Sequence, residues 1–295
     1  MVAEVGRIVF WSVIASTPLA LLVFAARPWG GGFLANLRRL VIDYRWHIGL
    51  FLVILVEKNW VDSLNDPIRG VFGDKTWLVA EIEGDLTLRL QRALEHDWLT
   101  SFLNVHYLWG YVFLNYFTVM LWGYRDDREL ANLAALNYSI IYVLAIPFYI
   151  FFNVDVTSDY IPGMKALLYH SGPGFYSFFT AHDPLDNAWP SLHIAIPFGL
   201  ILVTWWTMRR RGYTLLDWEH RRYLVFIIAN TAVFAFSILY LGVHWATDIP
   251  GGMIIGLLGA IIADEWHKEF FAFCHKGEQA VWKALKALAT PKKVA

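Results

Sequence analysis

Two short stretches of the chain place polar, titratable side chains where apolar segments begin or end. The first is Asn187-Ala-Trp-Pro-Ser-Leu-His-Ile-Ala, and the second is Leu241-Gly-Val-His-Trp-Ala-Thr-Asp-Ile-Pro-Gly-Gly. Ionisable groups at membrane depth are costly, so those found there generally have a task. His244 and Asp248 are four residues apart. In a helical turn they share a face, and the carboxylate can hold Nδ1 of the imidazole while Nε2 stays open as a nucleophile. Pro190 and Ser191 mark a helix start, where the first N–H groups and the positive end of the helix dipole suit an anion. His193 lies in that first turn, placed to give a proton to a leaving oxygen. Gly251 and Gly252 permit close backbone approach. This is a set of groups for attack on a phosphate ester. It requires His193 and His244 to lie within about 10 Å, the reach of one phosphoryl group held by hydrogen bonds.

Each residue alone has a plainer reading. A single histidine at a span end is an interfacial side chain, Ser191 is a helix N-cap, and Lys165 is a loop lysine. The joint occurrence of both stretches, in order and at span ends, argues for the chemistry. His170, His182, Asp183 and Asp186 precede the first stretch, but their spacing fits no metal-site pattern, and they read as solvated loop residues. His106, Tyr107 and Asn115 read as interhelical hydrogen-bonding groups, with contact to a substrate as the alternative.

The bilayer sets the elements that must position these residues. Of the 295 residues, 57% are hydrophobic and only 17% charged, against roughly half and a quarter in soluble domains. The 15 Trp, 14 Tyr and 21 Phe fit this reading, since Trp and Tyr collect at membrane interfaces. Stretches of the required length predict six or seven spans: Ile8 to Ala26, Trp46 to Val56 (short, and the one in doubt), Phe102 to Trp122, Leu133 to Phe152, Ser191 to Met208, Tyr223 to Val243, and Ile249 to Ala263. The first run follows Arg7 without a small-residue cleavage site, so it reads as a retained span.

With seven spans, the Arg and Lys of the short connections fall on one side, which is then cytoplasmic. They include Arg38, Arg39, Arg45, Arg125, Arg128, Arg209, Arg210 and Arg211. The arginine run at 209 to 211 reads as a topology signal that also meets anionic headgroups. Both polar stretches then lie at the extracytoplasmic face. Between Glu57 and Ser101, also outside, Leu78, Ile82, Leu86, Leu90 and Leu94 form one helical stripe. That pattern predicts a helix lying in the interface or one packed on the spans, and Gly84 weakens both. The expected division is 1–101 for the N-terminal spans and amphipathic segment, 102–265 for a catalytic helical core, and 266–295 for a Lys-rich cytoplasmic tail. A net charge of −1 gives no general attraction to nucleic acid. The single cysteine, Cys274, excludes an intrachain disulfide framework.

Pro190-Ser-Leu-His193 and His244-x-x-x-Asp248 resemble the second and third motifs of the type 2 phosphatidate phosphatase superfamily of lipid phosphatases and phosphotransferases. The Trp-Pro-Ser-Leu-His-Ile-Ala run looks more like its inositol phosphorylceramide synthase-like branch. The resemblance covers about residues 138–263. It implies an all-α polytopic bundle with a six-helix phosphatase-like core plus one N-terminal span. It further implies that His244 forms a phosphohistidine, Asp248 orients it, and His193 protonates the leaving group. Ser191, with Pro190, Leu192 and nearby amides, would bind the phosphoryl oxygens. No metal or cofactor is implied. The substrate would be a lipid phosphate or phospholipid, with water or a polyol such as inositol as acceptor, at the plasma membrane. Two departures favour the polyol slightly. The basic motif that usually precedes Pro-Ser-x-His is missing, with Lys165 as the candidate substitute, and Ile238 occupies the usual arginine position before His244. Lys58, Arg69, Arg89 or Arg92 could supply the missing charge. The rival expectation is a transporter or lipid-binding protein that kept the fold without catalysis.

Overall fold

The computed structural model describes residues 2–25, 33–54, 68, 71–170, 185–216 and 218–289. In a bilayer core the backbone cannot hydrogen-bond to water, so a long apolar segment satisfies its N–H and C=O groups internally, as a helix. The described residues form α1 (Val2–Phe24), α2 (Phe33–Asp43), α3 (Arg45–Ile54), α4 (Thr76–Glu83), α5 (Leu86–Leu94) and α6 (Asp97–Val105). A π-helical turn at His106–Gly110 joins α6 to α7 (Tyr111–Tyr124). Then follow α8 (Arg128–Phe151), α9 (Thr157–Tyr160), α10 (Leu192–Arg210), α11 (Trp218–Tyr240) and α12 (Asp248–Ala289). No strand occurs among the described residues, where the only sheet-like pairing is the single bridge Val154–Asn187.

Five of these helices, namely α1, α8, α10, α11 and α12, are long and apolar enough to cross a membrane. The run α6–π turn–α7 stays helical at both junctions and provides the span expected at Phe102 to Trp122. For the expected second span, Trp46 to Val56, the described residues form the helix Arg45–Ile54, and the last two positions of that span lie outside the described residues. With α2 this helix forms a bent pair, broken at Tyr44, against the far end of α7. Leu40 lies so close to Gly123 that a Cβ there would meet it at 2.6 Å. One difference is α12, whose 42 residues make it about 63 Å long. The divisions expected at 101/102 and 265/266 therefore both fall inside helices, α6 and α12.

The bundle centres on α8, α10 and α12, whose inward residues are fully buried: Leu133, Ile141, Ala195, Ile196, Ala260 and Ala263. Small residues let these helices approach closely. A Cβ on Gly256 would meet the Ala195 carbonyl at 2.5 Å, and one on Gly252 the Ser191 carbonyl at 2.6 Å. Both glycines face the start of α10, so this packing fixes the two polar stretches against each other. Outward positions carry the apolar side chains expected to face lipid, among them Ile8, Trp11, Leu19, Val225, Ile254 and Ile261.

The basic connections gather at one end of the bundle, as the span pattern requires, and they are paired. Arg211 bonds Asp127 and Glu129, Arg210 bonds Asp264, Arg39 approaches Asp126, and Arg45 bonds Glu278. The run 209–211 is thus committed largely to acidic partners within the protein, with Arg209 over the Trp205 ring. The two polar stretches lie at the opposite end.

The segment around residues 76–94 is two helices, because Gly84 at φ 59° breaks the stripe. A mixed side faces the bundle: Thr76, Val79, Thr87, Leu88 and Gln91 are buried, whereas Trp77, Ile82, Leu86 and Leu94 are exposed. The segment therefore packs against the bundle through one side, while those four side chains stay outside that contact.

Candidate active site

The site is built on two chain reversals. The first leads into α10: Tyr149 at the end of α8 donates its hydroxyl to the Pro190 carbonyl at 3.1 Å, and the Ser191 carbonyl accepts the N–H groups of Ile194 and Ala195 at 3.2 and 3.0 Å. Ser191 occupies the N-cap position, but its side chain makes no capping bond. It is fully buried, and its Oγ lies 3.4 Å from Nε2 of His244. The second reversal joins α11 to α12. Gly242 takes φ +82°, which side-chain-bearing residues rarely adopt, and the His244 N–H bonds back to the Ile238 carbonyl at 3.1 Å.

His244 and Asp248 meet as their spacing predicts. His244 Nδ1 is 2.8 Å from Asp248 Oδ2, and the same oxygen accepts the Trp245 N–H at 2.9 Å. Asp248 is completely buried and His244 nearly so. A carboxylate on Nδ1 fixes the tautomer that carries its proton there, which leaves Nε2 a lone pair facing Ser191. Ser191 is then the donor in the long contact to Nε2.

His193 stands opposite, with its ring centroid 6.4 Å from that of His244. That separation admits one phosphorus-centred group with each imidazole about 3 Å from a reacting atom, and it meets the condition set by the sequence. Tyr107 stacks on the His193 ring, with centroids 3.9 Å apart, Tyr111 lies against it tilted by 31° at 4.1 Å, and Phe234 meets it edge-on at 5.7 Å. The π-helical turn contains Tyr107 and is followed directly by Tyr111. Such turns often accompany functional sites. Tyr107 is thus a stacking partner of His193, while His106 makes the interhelical contact, to Asn230 Oδ1 at 3.0 Å.

The other candidate residues are spread more widely. Leu192 is half-buried against the core. The Lys165 backbone is packed beside Gly242, whereas its amine binds Glu95 at 2.6 Å. Arg89 pairs with Asp85, and the Arg92 guanidinium lies over Gly163. Lys58, Arg69, His182 and Asp183 fall outside the described residues, as does the side chain of His170. Asp186 is buried, not solvated as expected, because its strand-like segment pairs with Val154. Among the described residues no three His, Cys, Asp or Glu side chains converge as a metal site.

Residues that sequence reasoning missed come from the N-terminal helices. The Glu83 carboxylate accepts the N–H groups of Ala246, at 2.7 Å, and Thr247. Thr76 Oγ1 accepts the Asp155 N–H at 2.8 Å, and the Asp155 carbonyl accepts the Trp245 indole N–H at 2.8 Å. Gln91 donates to the carbonyls of Lys165 and Tyr240, both at 2.9 Å. No local motif announces these residues. The available clue was that the stripe of α4 and α5 carries polar residues at helical spacing on its other side.

One comparison with known proteins covers the region that carries both histidines. Residues 140–272 match the model of the PAP2 superfamily, the group that the two motifs resemble. Over 145 residues the chain is 26% identical to "Putative undecaprenyl-diphosphatase YbjG" of Escherichia coli (strain K12). That similarity spans 48% of this chain and 60% of the relative. No solved structure matches.

Proposed function

We propose that this chain is an integral membrane phosphatase of lipid phosphates, cleaving a phosphoester or diphosphate through a phosphohistidine on His244. The observation that carries the reading is the buried Asp248–His244–Ser191 chain, with contacts of 2.8 and 3.4 Å, facing His193 at 6.4 Å. Nε2 of His244 attacks phosphorus as the bond to the leaving oxygen breaks, and His193 gives that oxygen its proton. The imidazolium of His244 is held by Asp248. Water then attacks the phosphohistidine, yields its proton to His193, and frees phosphate with both histidines restored. Ser191 and the first N–H groups of α10 bind the phosphoryl oxygens, where the helix dipole favours negative charge. Fixed donors of this kind are the main catalytic resource in phosphoryl transfer.

Water is the acceptor in this reading, and the similarity to a protein named as a diphosphatase supports it. The transferase expectation keeps only the Pro-Ser-Leu-His spelling and the departures from the basic motifs, and neither comparison singles out the inositol phosphorylceramide synthase-like branch. By the distribution of Arg and Lys, the site faces the extracytoplasmic side of the plasma membrane. The test is phosphate release by detergent-purified protein from a polyprenyl diphosphate, a polyprenyl phosphate and phosphatidate, with and without inositol. Wild type should release phosphate without inositol, and His244→Ala should lose at least about 10³-fold. A new phospholipid formed only with inositol would make the chain a transferase. Equal rates for wild type and His244→Ala would remove His244 from the chemistry.

A further inference from the structure

The region matched to a family begins at residue 140, yet the catalytic turn is held in part from before it. Three hydrogen-bonded links run from α4 and α5 to residues 240–247. Thr76 acts through Asp155 on the Trp245 ring, Glu83 takes two consecutive N–H groups of the turn, and Gln91 takes the Tyr240 carbonyl. The middle link lies between His244 and Asp248 in sequence. Ala246 and Thr247 are the residues whose conformation sets where the imidazole lies relative to its carboxylate. Their N–H groups lie in the turn immediately before α12, where a carboxylate is a favoured partner.

We propose that Glu83 is a positioning residue for the reaction, fixing the Ala246–Thr247 turn so that the His244–Asp248 hydrogen bond is formed before substrate arrives. The inference rests on the phosphatase reading and extends the site into a part of the chain outside the family match. Glu83 touches no reacting atom, and it acts through the backbone on His244. It also places a negative charge beside the start of α12. An amide at position 83 would turn one acceptor into a donor facing an N–H group. A shorter carboxylate keeps the charge and both acceptors at imperfect reach.

The experiment uses the full chain in detergent, with a polyprenyl diphosphate as substrate and rates scaled to folded protein. Glu83→Gln should lower kcat about 10- to 100-fold, the usual effect of losing a group that orients a functional histidine. KM should stay within about twofold. Glu83→Asp should recover part of the loss, and exposed Glu81→Gln on the same helix should match wild type. Thermal unfolding reports whether each variant is folded. The proposal is overturned if Glu83→Gln keeps wild-type kcat while His244→Ala is inactive. It is equally overturned if Glu83→Asp is no better than Glu83→Gln and both lose activity only in step with folded protein. If His244→Ala retains full activity, the phosphatase reading itself falls and this inference falls with it.

Discussion

At one end of the bundle Arg211 holds Asp127 and Glu129 at 2.8 and 2.6 Å, and Arg210 reaches Asp264 at 2.8 Å. About 28 Å away along α10, the contacts are of another kind. There Glu83 binds two N–H groups, Gln91 binds carbonyls, and Asp248 binds one imidazole and one N–H group. The charges of the first end lie at the surface or partly exposed and back one another up. Exposed pairs contribute only about 0–1 kcal/mol each, so losing one is tolerated. At the second end, Asp248 and Gln91 are buried and each makes contacts that no neighbour duplicates. Removing a partner there leaves an unsatisfied buried group, at about 1–3 kcal/mol, and also moves reacting atoms. The first end holds the helices together, whereas the second holds a geometry.

The comparison is sharpened most by Asp248→Asn. The new side chain fills the same space, but its amide can donate to Nδ1 and so favour the tautomer with the proton on Nε2, where the nucleophile must be free. A fall in kcat of about 10²- to 10⁴-fold is expected, as for other histidines that lose an orienting carboxylate, with the bundle still folded. Steady-state phosphate release checks this, and a loss below tenfold would mean that Asp248 does not set the tautomer. Arg211→Ala at the opposite end should do the reverse. It removes four hydrogen bonds to two acids, and for a chain of this size about 1 kcal/mol corresponds to a shift of about 2–4 °C in Tm. kcat/KM should stay within about twofold. A tenfold loss of rate at unchanged Tm would show that the two ends are coupled.

The legible parts of this molecule were those encoded locally. Hydropathy runs disclosed the spans of α1, α8, α10, α11 and α12, because a lipid-facing helix must be apolar along its whole length. His193, Ser191, His244 and Asp248 stood out because each polar stretch is continuous and sits at a span end. What escaped depends on contacts between distant parts of the chain. Nothing near Glu83 says that its carboxylate meets Ala246, and nothing in Tyr111 says that it faces His193. The stripe Leu78–Leu94 was visible, but its Gly84 break and the side that faces the bundle needed the fold. The same holds for Arg210 and Arg211. A basic run at a span end signals topology whether or not acids wait beside it, and here Asp127, Glu129 and Asp264 do.

The smallest expected effect tests the stabilising end alone. Burial raises the proton affinity of Asp127, but the Arg211 hydrogen bonds and the Leu130 N–H outweigh it, and the carboxyl is held below its ordinary value. In the unfolded chain the same group titrates near 3.9. A carboxyl depressed by folding contributes stability that is fully present above the unfolded value and is lost as pH falls through the folded one. Asp127→Asn has no such group, so the Tm difference between wild type and Asp127→Asn should be constant from pH 7 to about 5. Below about pH 4 it should narrow by about 1–2 °C, because only wild type then takes up this proton on unfolding. Other carboxylates, Asp248 included, titrate in both proteins and largely cancel in the difference. A gap that stays constant to pH 3 would mean that Arg211 does not depress Asp127. The stabilising role of the basic end would then lie in helix packing, with its ion pairs adding nothing measurable.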